Sequence, residues 1–306
     1  MTIRARKITD RDEWLNKWRP ENINASEAGA LFGIDAHCTP LQLYHRKLDD
    51  FPNEETDAMR RGRWLEPAVL KATAELRPDL EIWQPNTYFD DPELKIGCTP
   101  DAFATDSKGR KGVIQAKTVG ENVFKEWCEN GEVHPPLAYQ LQNMVEAIQA
   151  LRPDFALIGL MIVGWRIDMR ILPVPVLNKT WDVYLKRVKL FWSNFEKRIA
   201  PDVSGMDGDL IRKLYPGQPD LTIDLSRNNR LPEMLDRHDE LAAALKEGRA
   251  PLKPLEKAYD GVRTEIKDMM GDAEFAILPG GKVATLKEQT NKGWTARVLR
   301  IKDAKE

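Results

Sequence analysis

The 306-residue sequence predicts a mixed α/β fold, a central sheet flanked by helices, followed by a C-terminal accessory region. Three observations carry this. Apolar spacing is helical up to about Leu76, then becomes strand-like between Glu81 and Val119. An amphipathic segment, LAYQLQNMVEAIQAL, separates that β region from two further apolar runs, FALIGLMIVG and WRIDMRILPV. The order helices, β-meander, helix, strands, helix is not a βαβ repeat, and no Gly-rich phosphate loop occurs.

Each element has a local reason. DRDEWLNKW (10–18) reads as a short helix stopped by Pro20, and Asn24 or Ser26 caps a small-residue helix ending at Gly33. Pro40 opens a helix to Leu48, and a longer one runs from Thr56 to Leu76, closed by Pro78. EIWQPNTYFDD, LKIGCTPDAFATD and KGVIQAKTV read as three strands joined by Asp/Pro/Gly turns. TWDVYLKRVKLFWSNFEKRI closes a core domain placed at 1–204. The accessory region, 205–306, reads as a turn-rich linker, two polar helices (231–247 and 252–270) and a β tail turning at Pro279-Gly280-Gly281.

Composition excludes several classes. Hydrophobic content of 42% supports a sizeable core, and no apolar run is long enough to span a bilayer. MTIRARKITD lacks the apolar centre of a secretory signal, so a cytoplasmic protein with no membrane partner is expected. Cys38, Cys98 and Cys128 form no CxxC pair and the four histidines no zinc pattern. Net charge is -2, so any nucleic-acid contact must be local.

The chemistry concentrates in four places. In GVIQAKTV, Gln115 and Lys117 share a strand face, and a buried ammonium requires a partner that an amide cannot provide. Either the strand is an exposed edge, or carboxylates come from elsewhere. Glu66 shares a helical stripe with Met59, Leu70 and Thr73, which places an acid inward. Asp101 follows Pro100 at a strand turn, where an ordinary Asx-turn is the alternative. Gln140 lies on the stripe of Leu137, Leu141, Met144 and Ile148, whereas Gln142 falls on the polar side with Glu146 and Gln149. Gln140 is therefore expected inside and Gln142 at the surface. Oxygen donors converging beside a lysine suit a hard divalent cation with room for substrate phosphate.

At these residues the sequence resembles the lambda-exonuclease/YqaJ-like phage recombination nucleases of the PD-(D/E)xK superfamily. EWLNKWRPENINASEAG, GRWLEP, GCTPDAF, VIQAKT and AYQLQ occur in that family's order and, together, cover roughly residues 10–200. The resemblance implies a restriction-endonuclease-like core and a Mg²⁺-dependent exonuclease, with Mn²⁺ as a substitute. It would digest the 5′ strand of duplex DNA ends and leave a 3′ overhang for a single-strand annealing protein. A ring-shaped homo-oligomer, a trimer, is also implied, in the cytoplasm of a phage-bearing bacterium. Carried across, Glu66 and Asp101 match metal-ligand positions, with position 115 and the Ala116 carbonyl completing the set. Lys117 matches the catalytic lysine and Gln140 the glutamine beside the attacking water. Arg19 and Ser26 match the pair that engages the terminal 5′ phosphate.

Gln115 departs from the pattern, which places an acid there. It implies an impaired or inactive chain, through an introduced Glu→Gln exchange or a natural variant, the intact remainder favouring the exchange. Two other readings compete: a non-catalytic DNA-end clamp on the same fold, and a recruitment protein acting through the C-terminal helices. Lys282 to Glu306 holds seven Lys/Arg against three acids, and Trp294 is expected exposed in a turn beside them.

Overall fold

The computed structural model describes residues 2–49, 55–151, 153–219, 221–291 and 294–303. The chain divides into two compact units, Met1–Pro216 and Gly217–Glu306.

In the first unit, β1 (Arg4–Lys7) precedes α1 (Arg11–Glu13), which is capped by the Asp10 carboxylate and runs on into a π-helical turn, Trp14–Trp18. After β2 (Ile23–Asn24) comes a 3₁₀ turn, Ala25–Glu27, leading into α2 (Ala28–Leu31). Asn24, not Ser26, stands at the cap: its N–H donates to Glu27 Oε2 at 2.8 Å. α3 (Pro40–Lys47) and α4 (Asp57–Leu76) start at Thr39 and Thr56, whose hydroxyls accept from N–H groups of the first turn.

The three expected strands are five: β3 (Leu80–Trp83), β4 (Thr87–Asp91), β5 (Ile96–Cys98), β6 (Ala102–Asp106) and β7 (Lys111–Gly120). Pro85 and Pro100 cannot donate to a ladder, and each lies in one of the breaks. α5 (Glu121–Glu126) and the short hairpin β8 (Cys128–Glu129) and β9 (Glu132–Val133) lead to α6 (Leu137–Ala150). β10 (Phe155–Val163), β11 (Ile167–Val174), α7 (Asn178–Glu196) and α8 (Gly208–Leu214) complete the unit.

The strands form a mixed five-stranded sheet, β11-β10-β7-β6-β3, and a smaller one, β1-β4-β5-β2. β7 pairs parallel with β10 and antiparallel with β6, so it is central and the exposed-edge reading of Lys117 does not hold. The parallel β7–β10 pair requires a crossover, and α6 lies within it. Val113 and Val119 of β7 pack with Ala147 of α6, whereas Ile114 packs with Leu70 of α4. Gln115 and Lys117 therefore face the α6 side.

On its other side, α6 sends Leu141, Met144, Val145 and Ile148 into a cluster with α2, α3 and α7 residues, including Ala28, Leu43, Tyr184 and Phe191. Fully burying each Leu, Ile or Phe side chain is worth about 1.5–3 kcal/mol. Covered on two sides, α6 keeps even its polar stripe inside: Asn143, Glu146 and Gln149 are all buried. Close by, Lys47 is paired with Glu27 at 2.8 Å and also donates to the carbonyls of Arg19 and Asn22.

The division between units falls at Pro216/Gly217, beyond the expected boundary at 204/205. Thr39 donates its hydroxyl to the buried Asp207 carboxylate, Ser204 and Asp207 form a capping box, and Leu210 is buried. This stretch completes the core; it is not a linker.

In the second unit, α9 (Leu231–Arg249) and α10 (Leu252–Met270) are joined by a short turn. β12 (Phe275–Leu278), β13 (Lys282–Asn291) and β14 (Trp294–Asp303) form an antiparallel sheet, with the first hairpin turning at Gly280 and Gly281, both at positive φ. Met270, Ala284, Leu286 and Leu299 form its small core. Trp294 opens β14; its side chain, like residues 304–306, lies outside the described residues.

Candidate active site

A cavity of about 390 Å³ opens in the first unit where the two sheets and the flanking helices meet. Glu66, Asp101, Gln142 and Glu146 line it together with Arg11, Arg19, Asn24 and Ser26. One concave site thus holds acidic, basic and hydroxyl-bearing side chains.

Glu66 comes from α4. Its expected inward stripe is only half inside: Leu70 and Thr73 are buried, but Met59 is 51% exposed. The first three turns of the helix carry no buried residue, and core contact begins at Val69. Glu66 stands at that margin, half-buried, with Oε1 accepting from Gln84 Nε2 at 3.2 Å. Burial, with the charge of Asp101, pushes its carboxyl up to about 7.

Asp101 lies between β5 and β6, directly after Pro100. Its Oδ2 accepts from the Ala116 N–H at 2.8 Å, which ties the turn to the middle of β7. Burial raises this carboxyl, opposed by the Lys117 charge and the Ala116 hydrogen bond.

The expected glutamine is not the one at the site. Gln140 Nε2 donates to the Pro135 carbonyl at 2.8 Å, and its side chain lines an apolar groove with Phe32, Leu141 and Met144. Leu137, expected on the same inward stripe, is 66% exposed. Gln142 occupies the site instead: Lys117 Nζ donates to its Oε1 at 3.0 Å, and its Nε2 donates to Glu146 Oε1 at 2.8 Å. Helical periodicity separates the two faces of α6 but cannot tell which one meets the sheet. Lys117 also sits over the Tyr139 ring, 4.7 Å from its centroid.

Glu146, expected on the polar surface, is 1% exposed. Its Oε2 has no hydrogen-bond partner, and burial together with Asp101 pushes its carboxyl up to about 8. Gln115 is fully buried, with neither amide atom partnered, and is not among the residues lining the cavity. Among the described residues, no group of three or more His, Cys, Asp or Glu side chains is arranged to hold one metal ion.

In the same cavity lining, Arg19 Nη2 donates to Ser26 Oγ at 3.0 Å, and the guanidinium lies over the Trp14 ring at 5.0 Å. The expected pair is therefore a pair in space. Arg11, which no sequence signal marked, joins them.

Residues 13–150 match the model of the YqaJ-like viral recombinase domain. No curated protein matches the chain. Among solved structures, an alkaline exonuclease from Laribacter hongkongensis is similar at 17% identity and a TM-score of 0.44, over 64% of this chain and 94% of that one. Its complex with dAMP aligns at 16% identity and a TM-score of 0.44, over 65% and 97%. A Eubacterium rectale protein provisionally assigned as an exonuclease aligns at 10% identity and a TM-score of 0.46, over 73% and 98%.

Proposed function

We propose, from the match of residues 13–150 to the model of the YqaJ-like viral recombinase domain, that the chain is a metal-dependent exodeoxyribonuclease acting on linear double-stranded DNA. It digests the 5′-ended strand and leaves a 3′ single-stranded overhang for strand-annealing recombination. The observation that carries this reading is the single cavity lined both by acids, Glu66, Asp101 and Glu146, and by Arg11, Arg19 and Ser26. A 5′-terminal phosphate meets a guanidinium and a hydroxyl there, and the scissile phosphate lies toward the acids.

The donors suit a hard divalent cation. Glu66 and Asp101 repel each other, a repulsion that a cation relieves. Mg²⁺ is commonly held by one or two carboxylates plus substrate phosphate, which agrees with the lack of a three-residue cage among the described residues. Glu66 and Asp101 would hold it, with the Ala116 carbonyl as a further oxygen donor, whereas the Gln115 amide expected to join them is fully buried and does not line the cavity; Mn²⁺ would substitute. Bound there, the ion would stabilise charge developing on the phosphate.

The protein's own groups do the rest. Lys117, oriented by Gln142, holds the attacking water. The water oxygen bonds to phosphorus as the bond to the 3′ oxygen breaks, one water proton passes to that oxygen, and a 5′-mononucleotide leaves. Arg19 and Ser26 fix the terminal phosphate so that the next linkage lies at the acids. The core as an independent nuclease domain, a ring-shaped assembly, a cytoplasmic setting and handover to an annealing protein belong to the same proposal. Among the described residues, no helix is long and apolar enough to cross a membrane.

The test is digestion of end-labelled linear duplex with Mg²⁺ and with chelator. Loss of the 5′-ended strand only when metal is present is expected. Tight binding to ends without cleavage would favour the clamp.

A further inference from the structure

Resting on the reading of the cavity as a divalent-metal nuclease site, we infer that Glu146, on α6, supplies the negative charge that an acid at position 115 would otherwise bring there.

Three observations converge on that residue. Gln115 is neutral, fully buried and absent from the cavity lining, so the strand delivers no charge to the cavity from that position. Glu146 does line the cavity, with Glu66 and Asp101, and is 1% exposed. One of its oxygens accepts from Gln142, while Oε2 is buried with no partner. A buried carboxylate with an unused oxygen is costly to keep and has to be matched by a donor or a cation.

The two positions approach one layer from opposite sides. Position 115 faces α6 from the sheet, and Val113, two residues before it, packs in one cluster with Ala147, the neighbour of Glu146. The hydrogen-bonded run from Lys117 through Gln142 to Glu146 ties the acid to the lysine of the proposed reaction. An acid moved from strand to helix thus keeps its place beside Lys117 and Asp101. Because no three acids are arranged around one point among the described residues, Glu146 contributes as a charge on the cavity wall, not as the last member of a cage. The chain with Gln115 is accordingly an active form and lacks no charge.

The experiment compares the full-length chain with E146Q, Q115E and the double variant Q115E/E146Q. Mn²⁺ binding is read by titration calorimetry, alongside Mg²⁺-dependent digestion of linear duplex. E146Q should raise the Kd for Mn²⁺ by more than about tenfold, and the double variant should recover most of that loss. Q115E alone should change binding and cleavage by no more than a few-fold. E146Q is isosteric and removes a buried charge, so its circular dichroism should match the parent. If it loses its fold, Q115E decides. Unchanged Mn²⁺ binding in E146Q overturns the inference. So do Mn²⁺ binding and cleavage that appear only in Q115E, an outcome that leaves the nuclease reading standing. No Mn²⁺ binding and no cleavage in any form overturns both.

Discussion

Lys117 on the central strand and Gln142 on α6 are joined by a 3.0 Å hydrogen bond from the ammonium to the amide oxygen. The amide holds the lysine head between sheet and helix, and its NH₂ group is itself held by Glu146. Replacing Gln142 by Ala removes a hydrogen bond to a charged group, worth about 1.5–3 kcal/mol. Nuclease activity should fall roughly ten- to a hundredfold. Gln140→Ala, which loses only a bond to the Pro135 carbonyl, should stay within a few-fold of the parent. Steady-state digestion rates of the two variants make the comparison, and equal losses would return Gln140 to the site.

Arg19 and Ser26 are hydrogen-bonded to each other in the lining of the cavity. Arg19→Ala should lower the initial rate about tenfold or more on 5′-phosphorylated duplex, from the loss of a charge-assisted contact. Ends bearing a 5′-hydroxyl should be much less affected. The ratio of the two rates is the readout, and a ratio unchanged from the parent would assign Arg19 to packing on Trp14.

A fragment of residues 1–216 should fold, whereas 1–204 should be markedly less stable. The shorter fragment loses Asp207, which accepts from Thr39, and the buried Leu210. Removing a buried hydrogen-bond partner and a buried apolar side chain costs roughly 2–5 kcal/mol together. Urea unfolding of the two fragments measures the difference.

The Glu27–Lys47 pair supports the loop that carries Arg19. Lys47→Met removes the direct partner of a largely buried carboxylate, leaving only the Arg19 charge and the Asn24 hydrogen bonds, and should cost up to about 3 kcal/mol. Burial disfavours the Glu27 carboxylate, but the Lys47 and Arg19 charges and its hydrogen bonds outweigh this and hold the carboxyl below its ordinary 4.5. The folded value lies below the unfolded one, so between them the unfolded chain binds more protons. The contribution is therefore complete above about 4.5 and is lost as pH falls through the lowered value. Denaturation midpoints of the parent and Glu27→Gln, measured between about pH 6 and pH 3, should converge toward the acid end.

Much of this protein was legible in its sequence. Prolines, caps and periodicity located the long helices α4, α6 and α7 and the strand pair β10–β11, because those signals are local and act within a few residues. The ordered pieces from Glu13 to Gln142 carried the resemblance, which alone marked Arg19 and Ser26, whereas Glu66 and Asp101 also stood out by residue type and position. The tertiary structure decided what depends on both sides of an element at once. Only the pairing of β7 between β6 and β10 shows that Lys117 is not at an edge. Only the packing of α6 between the sheet and a second helical cluster puts its polar stripe inside, moves the site glutamine from 140 to 142 and makes Glu146 a buried acid. A helical stripe records which residues share a face; which face meets the site is fixed by chain segments far away in sequence, and no local pattern encodes it.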